Sequence, residues 1–148
     1  MPVLLENRRV KFDYELLEKF EAGLELRGFE VKSLKNKRGS LAGSHVIIRA
    51  GESFIIGMEI PAYQPKNAPP DFDPQRTRKL LLTKKEINYL EGKGQEKGLT
   101  LIPLQVYTKG TLVKLSLALA RGLKKYDKRE RIKKKEAKRK IERELKQR

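Results

Sequence analysis

Between Val10 and Leu26 the apolar side chains sit on even positions, at Val10, Phe12, Tyr14, Leu16, Phe20, Ala22, Leu24 and Leu26. Asp13, Glu15, Lys19, Glu21, Glu25 and Arg27 hold odd ones. Alternation of period two predicts a β-strand with one buried and one wet face, and it turns Glu21 outward. A strand of that length has to curl, so a bend or bulge is expected near Gly23, and Leu17 and Glu18 break the alternation locally. Val31 and Leu34, three apart within Phe29–Lys35, predict a short helical turn. His45–Arg49 and Ser53–Ile60 are apolar runs separated by Ala50-Gly51-Glu52, the pattern of a β-hairpin in which Gly51 takes a positive φ.

Five of the seven prolines lie between Pro61 and Pro74, which predicts an exposed loop. Asp73-Pro74 then reads as an N-cap with proline at the first helical position, opening a helix through about Leu90 that Gly92 or Gly94 ends. At about 100° per residue, Leu80, Thr83, Ile87 and Leu90 share one face of that helix and Leu81 points roughly 140° away, toward solvent. Leu99–Tyr107 and Leu112–Ala120 form a second hairpin across Lys109-Gly110. Val113, Leu115, Leu117 and Leu119 share its buried face, with Lys114 on the outer one. The sum is five strands with a helix between the third and fourth. The fold class is thus mainly β: an antiparallel barrel with one longer and one short helix, whose strand order resembles the OB-fold, a Greek-key barrel that holds oligonucleotides.

Charge changes the picture. Across 148 residues, 35 Lys and Arg oppose 19 Asp and Glu, a formal net charge of +16 that implies a polyanionic partner. From Arg121 onward 15 basic and 5 acidic residues supply +10 of it, so the chain divides into a barrel over 1–120 and a basic tail over 121–148. The tail has too few apolar residues to bury and is expected to be disordered when free. Its Ala137, Ile141 and Leu145 recur every four residues, which suits a helix formed on a partner's surface. With no Cys and a single His45, neither a disulfide framework nor a metal site is expected, and no cofactor. No run of 18 apolar residues or basic-then-apolar leader is present, so a cytoplasmic chain without a membrane span is expected.

No catalytic motif emerges. Gly92-Lys93-Gly94-Gln95-Glu96-Lys97-Gly98 follows a helix instead of a strand and lacks the Gly-Lys-Ser/Thr of a P-loop, so it reads as a helix stop and a turn. Asp71 and Asp73 read as capping and turn residues, and His45 as a plain strand residue or an aromatic ring against RNA. The basic clusters are Asn7-Arg8-Arg9, Arg76-Thr77-Arg78-Lys79 and Lys124-Lys125-Tyr126-Asp127-Lys128-Arg129. Taken together they favour phosphate contact, and Tyr126 among cations allows a base to stack while its neighbours hold phosphates. Outward Leu81 beside Arg76, Arg78 and Lys79 suits an apolar contact to a base or sugar. Glu21 can accept from a base amino group.

These residues resemble a known family, small protein B, the partner of transfer-messenger RNA in rescuing stalled bacterial ribosomes. The resemblance rests on Asn7-Arg8-Arg9, Phe20-Glu21-Ala22-Gly23-Leu24 and Gly28-Phe29-Glu30-Val31-Lys32-Ser33-Leu34. It continues through Asp73-Pro74 with Arg76-Thr77-Arg78-Lys79-Leu80-Leu81-Leu82, and Tyr126-Asp127-Lys128-Arg129. It implies an OB-type barrel that binds the tRNA-like part of transfer-messenger RNA, with Glu21, Leu81 and Lys114 at family RNA-contact positions. Asn7, Arg8, Arg76, Arg78 and Lys79 join them in the expected RNA site. The resemblance also implies a tail that turns helical in the vacant decoding site and empty mRNA channel of a stalled ribosome. There Lys124, Tyr126, Asp127, Lys128 and Arg129 stand near small-subunit ribosomal RNA. The chain is expected to act as a monomer in that complex and not as an enzyme. It departs from the family pattern at Pro69-Pro70-Asp71-Phe72, at Leu123 and at His45. A structural ribosomal protein with a basic extension is the alternative. A nucleic-acid-processing enzyme would need converging carboxylates and a metal.

Overall fold

The computed structural model describes residues 2–123 and 125–146. In chain order the elements are β1 (Val3–Glu6), α1 (Val10–Asp13), β2 (Tyr14–Leu24), α2 (Gly28–Lys35), β3 (His45–Arg49) and β4 (Glu52–Ile56). After a 3-10 turn at Pro65–Asn67 come β5 (Arg78–Leu81), α3 (Lys84–Lys93), β6 (Leu99–Lys109), β7 (Leu112–Gly122) and α4 (Lys125–Lys146). The sheet order is β1-β6-β3-β4-β5-β2-β7, every pair is antiparallel, and β6 also pairs with β7. That last pairing closes β2 through β7 into a barrel, with β1 laid against β6. β1 and β3 share one edge of β6, at Gln105–Tyr107 and at Leu101. The expected mainly β barrel is therefore present, with seven strands where five were expected.

The two unanticipated strands are short. β1 places both Leu4 and Leu5 in the core, so it shows no alternation. β5 has the sequence Arg-Lys-Leu-Leu, good helix formers that the helix expectation had absorbed. Ladders to β2 on one side and β4 on the other override that local preference. Consequently α3 starts ten residues late, at Lys84. The Thr83 hydroxyl accepts from the Glu86 backbone N–H at 3.2 Å, and Glu86 Oε1 accepts from the Thr83 N–H at 3.1 Å, a capping box. Asp73 instead accepts from the Gln75 N–H at 2.9 Å and holds a turn. Leu81 is outward as expected, yet through strand alternation beside buried Leu80.

The first long strand is also shorter than its pattern. Val10–Asp13 is one helical turn, and the irregularity in β2 lies between Leu16 and Glu18 instead of at Gly23. α2 and the two expected hairpins form where predicted. In the β3–β4 turn both Ala50 (φ 53°) and Gly51 (φ 75°) are left-handed, as a two-residue hairpin requires. β4 ends at Ile56 rather than Ile60, because Gly57 turns away at φ 83°. The core fills the barrel with Ala22, Leu24, Val46, Ile55, Leu80, Leu115 and Leu117, joined by Leu34 of α2 and Leu90 of α3.

Inside this apolar frame sits one charged cluster. Glu30 of α2, fully buried, accepts from Arg78 Nε at 2.7 Å, Arg76 Nη2 at 2.6 Å, Arg76 Nε at 3.1 Å and the Arg27 N–H at 2.8 Å. Arg78 is equally buried and donates to the carbonyls of Met58, Arg76 and Pro74. Every proton-rich edge has an acceptor, the condition for tolerating buried charge. Together these bonds tie α2, the proline-rich loop and β5 to one another.

β7 runs through Gly122, two residues past the charge boundary at 120, pairing Arg121 with Glu15 and Gly122 with Tyr14. Beyond β7, Lys125–Lys146 form helix α4, rich in helix formers. Its described side chains are all exposed, and Lys135 Nζ lies 4.6 Å from the centroid of the Phe12 ring of α1.

Candidate nucleic-acid interface

Strand register assembles the central residues. Ala22, Leu24, Leu80 and Leu115 point into the core, so their neighbours Glu21, Gly23, Leu81 and Lys114 face outward. Gly23 stands opposite Leu81 on one side and Lys114 on the other, and Lys114 stands opposite Tyr107. Leu81, Gly23, Lys114 and Tyr107 thus form one row across β5, β2, β7 and β6, with directly opposed side chains roughly 5 Å apart. Glu21 lies two residues along β2 on the same face. The three residues expected at the heart of the RNA site, distant in sequence, are brought together by the closed sheet.

Gly23 keeps that row open. A Cβ there would lie 3.2 Å from the Leu81 Cβ, tighter than ordinary packing, so glycine leaves room for the leucine to cross its strand. Leu81 remains 53 % exposed, which makes it available for a sugar or a base face.

Glu21 is held in place by its neighbours. The Tyr107 hydroxyl donates to one carboxylate oxygen, and Lys109 Nζ lies 3.4 Å from the other. The Tyr107 bond, then the charges of Lys109 and Lys114, overcome partial desolvation and bring the Glu21 carboxyl below its usual range. Burial, reinforced by the Glu21 bond, pushes the Tyr107 phenol up to about 12. The result is a carboxylate that stays ionised and fixed, flanked by two ammonium groups and an exposed leucine. Such a face can accept from base amino groups, donate to phosphates and pack a ribose.

The other expected RNA residues do not all join this face. Arg78 is a correction: with no exposed surface and its guanidinium bound to Glu30, it holds the fold and is out of reach of a phosphate. Arg76 is only 26 % exposed and spends its fork on Glu30. Lys79 stands outward and half-covered, 3.2 Å from Glu52. Asn7 donates through Nδ2 to the Pro103 carbonyl at 3.0 Å and through its N–H to the Leu104 carbonyl at 2.8 Å, which fastens β1 to β6. Arg8 is exposed on the rim of a separate groove of about 750 Å³ that Tyr14 and His45 also line. In the tail, Lys124 lies outside the described residues, as do the side chains of Tyr126, Asp127 and Lys128, while Arg129 is exposed.

Sequence reasoning missed Tyr107, Lys109 and the role of Gly23. A tyrosine ending an apolar run, whose buried hydroxyl needs a partner, was the available signal. Its partner is 86 residues away and becomes visible only through the barrel closure.

The family model for the SmpB protein matches residues 4–147. The chain belongs to the SmpB family. Among relatives, an SsrA-binding protein of Gloeobacter violaceus is 51% identical over 141 residues, covering 95% of this chain and 92% of that protein. An SsrA-binding protein of Thermosipho africanus is 48% identical over 147 residues, covering 99% and 98%. A solved chain described as "tmRNA-SmpB: a journey to the center of the bacterial ribosome" superposes with a TM-score of 0.69 at 43% identity, covering 89% of this chain and 95% of that one. Within this SmpB-family fold, the row from Leu81 to Tyr107 is a surface fixed by backbone pairing instead of by flexible loops. No helix among the described residues is long and apolar enough to cross a membrane. No cluster of three or more His, Cys, Asp and Glu suited to a metal ion occurs among them.

Proposed function

We propose that this chain binds the tRNA-like domain of transfer-messenger RNA through Glu21, Leu81 and Lys114 and delivers it to stalled ribosomes in trans-translation. The observation that carries the reading is the cross-strand row. An acceptor, an apolar side chain and ammonium groups share one rigid face of a basic barrel whose relatives are SsrA-binding proteins. Lys79 and the exposed edge of Arg76 add phosphate contacts beside it, and Arg8 adds one from the rim of its separate groove. The work is binding and positioning, with no bond made or broken by the chain, in the cytoplasm and as a monomer in the complex. The tail, +10 from Arg121 onward, enters the vacant decoding site and mRNA channel, where Tyr126, Asp127, Lys128 and Arg129 meet small-subunit ribosomal RNA.

Gel-shift titration tests the barrel's role. The tRNA-like domain of transfer-messenger RNA should bind well above an unrelated tRNA, with Lys114→Ala and Leu81→Ala each weakening it roughly tenfold while the barrel stays folded. Equal affinity for both RNAs would defeat the reading. Because β7 ends at Gly122, the truncation that tests the tail begins at Lys124. It should keep RNA affinity largely intact and abolish peptide tagging in reconstituted translation. Persistent tagging would reject that division of labour.

A further inference from the structure

The outward row does not stop at Leu81. Two residues back along β5 is Lys79, and two residues forward along the other edge, beyond β2, is Glu25, whose N–H donates to the Lys79 carbonyl at 3.1 Å. Across the next ladder Lys79 stands opposite Phe54 of β4. Phe54 is flanked by Ser53 and Ile55, both fully buried, so its ring faces outward from the barrel. It forms part of the wall of a surface hollow of about 410 Å³ that Glu25, Arg27, Arg76 and Lys79 also line.

A half-covered phenylalanine on a barrel surface is ordinary by itself. This one differs in its setting. Arg27 is exposed and, among the described residues, its guanidinium makes no hydrogen bond or ion pair. Among the described residues the Lys79 ammonium pairs with Glu52 alone, itself half exposed, a pair that a phosphate can displace at little cost. Behind the hollow, Arg76 and Arg78 share the single carboxylate of Glu30, and the positive charge this leaves is set against the Glu25 carboxylate in the same wall, so that with Lys79 paired to Glu52 the hollow's surplus charge is that of Arg27. The hollow also continues the row of Leu81, Gly23 and Lys114, one pleat repeat of about 6.8 Å away.

We propose that this hollow is a nucleotide subsite of the RNA interface: an unstacked base lies on the Phe54 ring while Arg27 and Lys79 hold its phosphate. The inference rests on the RNA-binding reading above and extends it from a contact with Leu81 and Lys114 to a second, aromatic position on the same face. Stacking on an aromatic ring is the means by which proteins hold splayed-out bases, and it is tolerant of base identity.

The test uses the full chain and the tRNA-like domain of transfer-messenger RNA, titrated across a salt series. Phe54→Leu is expected to weaken binding about tenfold, within the range known for lost base stacking, and to leave the salt dependence unchanged. Phe54→Tyr is expected to bind as the parent does. Arg27→Gln should instead lower the slope of log K against log salt by about 0.7, one phosphate on a single strand. If Phe54→Leu and Arg27→Gln both bind normally while Leu81→Ala and Lys114→Ala bind weakly, the subsite is wrong and the interface stands. If all four bind normally, the interface reading falls as well. Should Phe54→Leu retain RNA affinity and lose ribosome association, the hollow receives a different partner and the proposal is overturned. Melting curves accompany each variant, and should Phe54→Leu unfold, the salt slope of Arg27→Gln decides.

Discussion

Glu30 offers the sharpest test of the fold. Its carboxylate accepts two bonds from Arg76, one from Arg78 and one from the Arg27 N–H, all at 3.1 Å or less, with no solvent exposure. Replacing it by alanine leaves the Arg78 guanidinium buried with backbone carbonyls as its remaining acceptors and only the weaker field of the Asp73 carboxylate as counter-charge. Breaking a buried pair in this way costs about 3–5 kcal/mol, which for a chain of this size lowers Tm by roughly 10–20 °C. Glu30→Gln, which keeps the shape, should cost less. The measurement is thermal and urea unfolding followed by circular dichroism. A double-mutant cycle with Arg78→Met should show coupling above about 1 kcal/mol, because the apolar pair no longer strands a charge. pH supplies a second readout. Burial by itself would raise the Glu30 carboxyl, but hydrogen bonds from Arg76 and Arg27 and the charge and bond of Arg78 outweigh it, so its folded pKa lies below the ordinary value. The folded pKa being depressed, its stabilisation is complete above the unfolded-state carboxyl pKa and is lost as pH falls through the folded one. Glu30→Gln should therefore flatten the acid limb of the stability profile. A Glu30→Ala protein within about 1 kcal/mol of the parent, or strictly additive single mutants, would refute the account.

Three further outcomes follow from the geometry. Ultraviolet titration of Tyr107 should give a pKa near 12 in the parent and a lower value in Glu21→Gln; an unchanged value would mean that the Glu21 bond does not perturb the phenol. Since that folded pKa is raised, the stability contributed by the Tyr107 proton is present below the unfolded phenol pKa and disappears as pH rises through the folded one. Gly23→Val should displace Leu81 and weaken RNA binding several-fold, measured by gel shift, whereas equal binding would show that Leu81 does not need the space. Ala50→Asn, placed at φ 53° in the β3–β4 turn, should stabilise the hairpin by roughly 0.5–1 kcal/mol in urea unfolding, and a loss of stability would contradict the left-handed conformation.

Much of this molecule was legible in the residues alone. Period-two alternation located β2 and β7, because a strand with one buried face writes its geometry directly into the chain, and apolar runs on either side of a glycine turn located β3, β4 and β6. The charge step falls near residue 120, two residues before β7 ends at Gly122, and the outward placement of Glu21, Leu81 and Lys114 followed from parity or periodicity. β5 was not legible: Arg-Lys-Leu-Leu prefers a helix in isolation and becomes a strand only between β2 and β4, while the true helix start was marked by the Thr83–Glu86 box. Arg78 shows the limit most clearly. In the sequence it is one of several cations in a basic run, indistinguishable from Arg76 and Lys79. Burial, which depends on the whole fold, makes it a structural ion partner of Glu30, 48 residues earlier. Local periodicity determines which way a side chain faces, but only the closing of the barrel decides what it faces.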